Sequence, residues 1–104
     1  MEKIRTIKIV RKYAEKLKEE KFPFSSVYFF GSRAKGTNHK DSDIDVAVIS
    51  TKFKNRFGRN SLKLWKFRRY IDYRIEPHGF TKEDFKNLAD PLVYEIRKTG
   101  IRVV

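Results

Sequence analysis

The sequence contains no cysteine and no glutamine, a single methionine, a single tryptophan, three prolines, and 13 acidic residues against 25 lysines and arginines. Without cysteine there is neither a disulfide framework nor a thiolate metal ligand. No apolar run approaches the ~20 residues of a membrane span, and no charged start followed by an apolar block suggests a secretory leader, so a cytoplasmic location is expected. The shortage of acid leaves a net charge of +12, which favours an anionic partner such as nucleic acid, nucleotide or an acidic protein. High charge with no Cys or Gln also leans towards a thermophile. What is present argues for a folded globule: 39% hydrophobic residues, with nine Phe and five Tyr. A length of 104 residues suits one domain, residues 1–104, with a modest core.

The informative stretch runs from Val27 to Ile49. Val27-Tyr-Phe-Phe30 is β-branched and aromatic, as a buried strand should be, and Gly31 permits a sharp turn. Ser32 then opens a short helical stretch, Arg33-Ala34-Lys35, which Gly36 is placed to close. Free N–H groups at a helix start, with the serine hydroxyl, can cradle a phosphate, and Arg33 and Lys35 add positive charge. After ten intervening residues comes Asp43-Ile-Asp45. In a strand, residues two apart share a face, so Asp43 and Asp45 point one way while Ile44, Val46 and Val48 enter the core. Two carboxylates roughly 7 Å apart along a strand suit one or two hard cations, and oxygen ligands favour magnesium.

Gly31-Ser32, ten residues, then Asp43-x-Asp45 resembles the signature of nucleotidyltransferases of the DNA polymerase beta superfamily, in particular its minimal branch. The resemblance implies that Gly31 and Ser32 hold a nucleoside triphosphate, that Asp43 and Asp45 ligate two Mg²⁺ ions, and that a third carboxylate lies on a later strand. It implies transfer of a nucleoside monophosphate, AMP from ATP, to an acceptor hydroxyl with loss of pyrophosphate. Larger members carry a further helical domain, so the acceptor site here is expected from a second copy, a partner protein or the acceptor itself. Minimal members pair with small helical HEPN-domain toxins and act as antitoxins by attaching AMP to a toxin tyrosine, which makes such a protein the expected partner.

In chain order, Glu2 to Lys21 reads as an amphipathic helix with Ile4, Ile7, Val10, Ala14 and Leu17 inward, ended by Phe22-Pro23. Thr37 to Ser42 is a polar loop whose His39 reads as solvent-exposed. Lys52 to Arg74 holds nine Lys and Arg against the single acid Asp72, interleaved with Phe53, Phe57, Trp65 and Phe67. It either grips RNA by charge and stacking or is the solvated face of a helix from Asn60 or Ser61 whose core stripe includes Leu62 and Trp65. Tyr70 to Glu76 alternates as a strand bounded by Pro77. Asp72 is the candidate third catalytic and metal-binding carboxylate, with Glu76 as runner-up on the same face, and His78 reads as a turn residue. Thr81-x-x-Asp84 resembles a capping box starting a helix through Leu88. Pro91 opens a further helix that Gly100 ends, and Ile101 to Val104 is a short edge strand.

The expected architecture is therefore α/β (α+β), a small mixed sheet covered by helices. Two other functions fit parts of the sequence: an RNA-binding or RNA-tailing protein using Lys52 to Arg74, and a catalytically silent interaction module. The second is disfavoured by the intact set Gly31, Ser32, Asp43, Asp45 and Asp72.

Overall fold

The two central strands are apolar on both faces, which requires cover on both. In the computed structural model, which describes residues 2–39, 41–51, 53 and 59–104, that cover comes from helices. The elements are α1 (Glu2–Glu19), β1 (Ser26–Phe30), α2 (Ser32–Lys35), β2 (Ile44–Ile49), α3 (Arg59–Phe67), β3 (Ile75–Phe80), α4 (Pro91–Thr99) and β4 (Ile101–Arg102), with single 3₁₀ turns at Arg68–Tyr70 and Asp84–Lys86. The sheet order is β3-β2-β1-β4. β1 runs antiparallel to β2 and β4, while β2 and β3 are parallel. The parallel pair needs a long crossover, and α3 lies in it. This is the expected mixed sheet with helical cover.

Strand alternation divides the core. Val27, Phe29, Ile44, Val46, Val48 and Ile75 pack with Val10, Tyr13, Ala14 and Leu17 of α1 and Leu64 of α3, whereas Phe30, Ala47, Ile49 and Phe80 pack with Phe85 and with Val93 and Ile96 of α4. The inward stripe of α1 is rotated from the expected one: Thr6 and Tyr13 are buried, while Ile4 is 56% exposed. The Tyr13 hydroxyl donates to the Leu64 carbonyl at 2.7 Å, which lets a tyrosine sit in the core. In α3 the buried residue is Leu64, not Leu62 or Trp65 as the sequence suggests. Phe53 is in the core, and Lys52, Lys54, Arg56 and Phe57 lie outside the described residues.

The largest departure is β3, which starts at Ile75 rather than Tyr70 and continues through Pro77. The Arg74 carbonyl accepts from Ile44 N–H and the Phe80 carbonyl from Ser50 N–H, so the even-numbered residues face β2. Pro77 is odd, at the outer edge of the sheet, where its missing N–H removes no ladder bond. Arg68 covers part of that edge by donating to the carbonyls of Tyr73 and Ile75. Thr81 and Asp84 do exchange the two capping-box bonds, at 2.9 and 3.2 Å, but they start only the 3₁₀ turn. Asp90 caps α4 by accepting from Leu92 N–H at 2.9 Å, with Pro91 in the first turn. Among the described residues no helix is long and apolar enough to cross a membrane.

Candidate active site

The end of β1 and the starts of β2 and β3 lie at one end of the sheet, because β1 is antiparallel to β2 and β3 parallel to it. Gly31 makes the turn there. Its φ of 75° is in the left-handed region, and its carbonyl accepts from the N–H groups of Ala34 and Lys35 to close α2. A Cβ on Gly31 would lie 2.4 Å from Asp45 Oδ2. The Gly31-Ser32 turn therefore presses directly on the carboxylate of β2, two features the sequence separates by a dozen residues.

Asp45 is opposite Phe30 on β1 and Glu76 on β3. It is half-buried, and burial first, then the charges of Glu76, Asp43 and Glu95, raise its pKa from the ordinary 3.8 to about 6. Glu76 is also pushed up, by burial and then by the charge and hydrogen bonding of Asp43. His78, two residues on and on the same face, packs its ring 5.5 Å from that of Phe30. Ligand atoms of Asp45, Glu76 and His78 lie within 4.8 Å of one another.

Asp72 is not brought into this group. It sits in the turn before β3, where it accepts from Arg74 three times, from the backbone N–H at 2.8 Å, from Nε at 3.0 Å and from Nη2 at 2.8 Å. The Arg74 hydrogen bonds hold its pKa below the usual carboxylate range. Arg33, expected at the phosphates, is 2% exposed and donates from Nε and Nη2 to the Ser42 carbonyl at 3.3 and 2.9 Å and from Nη1 to Thr6 Oγ1 at 3.3 Å. It ties the residue preceding Asp43 to α1. Lys35 is exposed, with Nζ 3.1 Å from Glu95 Oε1 on α4.

A family model described as a nucleotidyltransferase domain matches residues 10–103. The chain belongs to the nucleotidyltransferase family. The resemblance carried by Gly31-Ser32 and Asp43-x-Asp45 is thus borne out. No curated protein matches it in sequence. Solved structures of similar fold include a protein described as a nucleotidyltransferase from Sulfolobus solfataricus, at 22% identity and a TM-score of 0.65, covering 97% of this chain and 81% of that one. A toxin-antitoxin structure with AMP-PNP matches at 22% identity and 0.62, covering 89% and 71%. The toxin-antitoxin MntA-HpeT, in a variant with two aspartates two positions apart changed to glutamate, matches at 19% and 0.64, covering 90% and 71%.

In this nucleotidyltransferase the donor set fits a divalent cation. Asp43, Asp45 and Glu76 crowd together, and burial first, then neighbouring negative charge, raises the proton affinity of Asp45 and of Glu76, a charge that a cation would neutralise. Sequence reasoning placed Glu76 second to Asp72 and read His78 as a turn residue, whereas the structure puts both on β3 beside Asp45. The available signal was the Glu76-x-His78 spacing itself, which on any strand gives two ligand types on one face. Gly31→Ala tests the contact between turn and carboxylate. A Cβ at φ 75° and ψ −151°, a region essentially confined to glycine, costs about 1–3 kcal/mol, and the Asp45 side chain must swing away from its position beside the turn. The expected result is a folded protein with a melting temperature lower by roughly 4–12 °C and divalent-cation affinity reduced by about tenfold or more, read by thermal melting and cation titration.

Proposed function

We propose that this nucleotidyltransferase moves AMP from ATP to a hydroxyl on a partner protein, with Mg²⁺ or a similar divalent cation, as the antitoxin half of a toxin-antitoxin pair whose partner is a small helical HEPN-type protein. The observation that carries the reaction is the convergence of the Gly31-Ser32 turn, Asp43, Asp45 and Glu76 at one end of the sheet. Two similar folds are toxin-antitoxin structures, one holding a triphosphate analogue, which supports the partner and the nucleotide.

In this reading the Gly31-Ser32 turn receives the terminal phosphates and Lys35 stands at its end. A cation held by Asp43, Asp45 and Glu76 would offset the charge that develops as pyrophosphate departs. The acceptor oxygen attacks the α-phosphorus, the bond to the bridging oxygen of pyrophosphate breaks, and the hydroxyl proton passes to Glu76, which stands across from Asp45 on the neighbouring strand. Arg33 positions Asp43 through the Ser42 carbonyl and is assigned no phosphate contact. Asp72, tied to Arg74, is assigned no catalytic role.

The exposed Lys63, Lys66 and Arg69 keep an RNA acceptor as the alternative outcome of one experiment. ATP labelled at the α-phosphate is offered with Mg²⁺ to the purified protein together with lysate and total RNA of the source cell. Label in one protein band, lost in Asp43→Asn, is the expected result. Label in RNA alone would replace the protein acceptor with a tailing reaction, and no label in any fraction would remove the transfer reading.

A further inference from the structure

The face that gathers the carboxylates also carries a nitrogen donor. Glu76 and His78 project from the same side of β3, and Asp45 stands across from Glu76 on β2. The residue across from His78 is Ala47, the smallest side chain on that face of β2. Packing against Phe30, at 5.5 Å between centroids and 56° between planes, sets the position of the ring. Mutual ligand-atom distances within 4.8 Å leave side-chain adjustments of no more than about 0.7 Å to bring all three donors to the roughly 2.1 Å of a metal bond.

The ligand chemistry selects the ion. Magnesium prefers oxygen donors and retains several waters, whereas imidazole suits the later first-row metals such as iron, nickel, copper and zinc, and affinity for a site with nitrogen rises along that series from Mn²⁺. A site with oxygen donors alone would leave magnesium the natural occupant, and a histidine in reach shifts the balance. We propose that Asp45, Glu76 and His78 together hold a divalent transition-metal ion, with His78 as its nitrogen ligand, so that the site favours an ion of that series over Mg²⁺. This deepens the transfer reading by naming the class of ion at the same carboxylates, while the ligation itself does not depend on that reading.

The test uses the full chain, free of nucleotide, loaded with Mn²⁺ and studied by pulsed electron paramagnetic resonance. The chain has two histidines, His39 and His78, so a ¹⁴N coupling from an imidazole has only two origins. The expected result is an imidazole coupling that persists in His39→Gln and disappears in His78→Gln. The His78→Gln change should also weaken Mn²⁺ by about tenfold or more and Mg²⁺, measured by competition, by less than about twofold. Absence of the coupling in the unmodified protein at saturating Mn²⁺ overturns the proposal, and that measurement needs no variant. Survival of the coupling in His78→Gln, or an equal loss of both ions, overturns it as well. If His78→Gln does not fold, persistence in His39→Gln assigns the nitrogen to His78, and its loss there sinks the assignment. Coupling without any transfer from ATP would discard the transfer reading and keep the ion site. Transfer without coupling would do the reverse.

Discussion

Asp45→Asn is expected to raise the melting temperature of the cation-free protein by roughly 5–10 °C at pH 8 and to abolish nucleotidyl transfer. The carboxylate is half-buried beside Glu76, Asp43 and Glu95, and its pKa rises from 3.8 to about 6. Between these values the folded protein binds a proton that the unfolded chain does not, so stability falls as pH rises through that window. Above about pH 6 the penalty is fully present; below 3.8 both states are protonated and it vanishes. The shift would correspond to about 3 kcal/mol for a fully buried group, and partial exposure reduces it to about 1–2 kcal/mol. Asparagine removes the charge at nearly constant shape. Melting in chelator should therefore show a variant more stable than the parent at pH 8, with the gap closing by about pH 4. Added Mn²⁺ or Mg²⁺ should stabilise the parent more than the variant. A variant of unchanged or lower melting temperature at pH 8 would mean that the carboxylates do not strain the empty site. This is the trade expected where a site is built for a ligand rather than for the fold.

How much could be read beforehand depended on how local each feature is. Gly31-Ser32 and Asp43-x-Asp45 were legible because a turn after an apolar strand and a two-residue period need no knowledge of distant partners. The place of Glu76 beside Asp45 needed such knowledge. Pro77 reads as a strand terminator only while the strand is assumed internal, and the sheet order that makes β3 an edge is written in no short stretch of sequence. Once Pro77 is admitted, the strand slides forward, Glu76 moves from its end to its interior, and Asp72 falls back into a turn with Arg74 as its partner. Arg33 shows the same limit. Its charge was countable, but its direction is set by Ser42 nine residues away and by Thr6 of α1, 27 residues away. In α3, the apolar residues Leu62, Leu64, Trp65 and Phe67 allow two stripes on one short helix, and only packing against the sheet chooses Leu64. The basic run from Lys52 to Arg74 was legible as charge, yet Arg68 and Arg74 serve carbonyls and Asp72 within the fold.

Glu76→Gln and Asp72→Asn divide the two candidates for the third carboxylate by opposite signatures. Glutamine at position 76 keeps the length and shape of the side chain on β3 but can accept no proton. Loss of a general base lowers kcat by about 10²–10⁴-fold, with the melting temperature unchanged or raised, since Glu76 is itself pushed above its ordinary pKa by burial and by Asp43. Asp72 has the reverse linkage. Its pKa is lowered by the Arg74 hydrogen bonds, so its stabilisation is present above the ordinary value of 3.8 and is lost as pH falls through the lower folded value. Asparagine there replaces charge-assisted bonds with neutral ones and costs about 1–2 kcal/mol at neutral pH, while leaving kcat within about tenfold because no Asp72 atom joins the Asp45 group. Steady-state transfer and melting on the same two preparations separate the cases. If Asp72→Asn were dead and fully stable while Glu76→Gln kept its activity, the base would be Asp72, and the three bonds it accepts from Arg74 would be the resting state of a residue that must turn towards Asp43 and Asp45 before it can act.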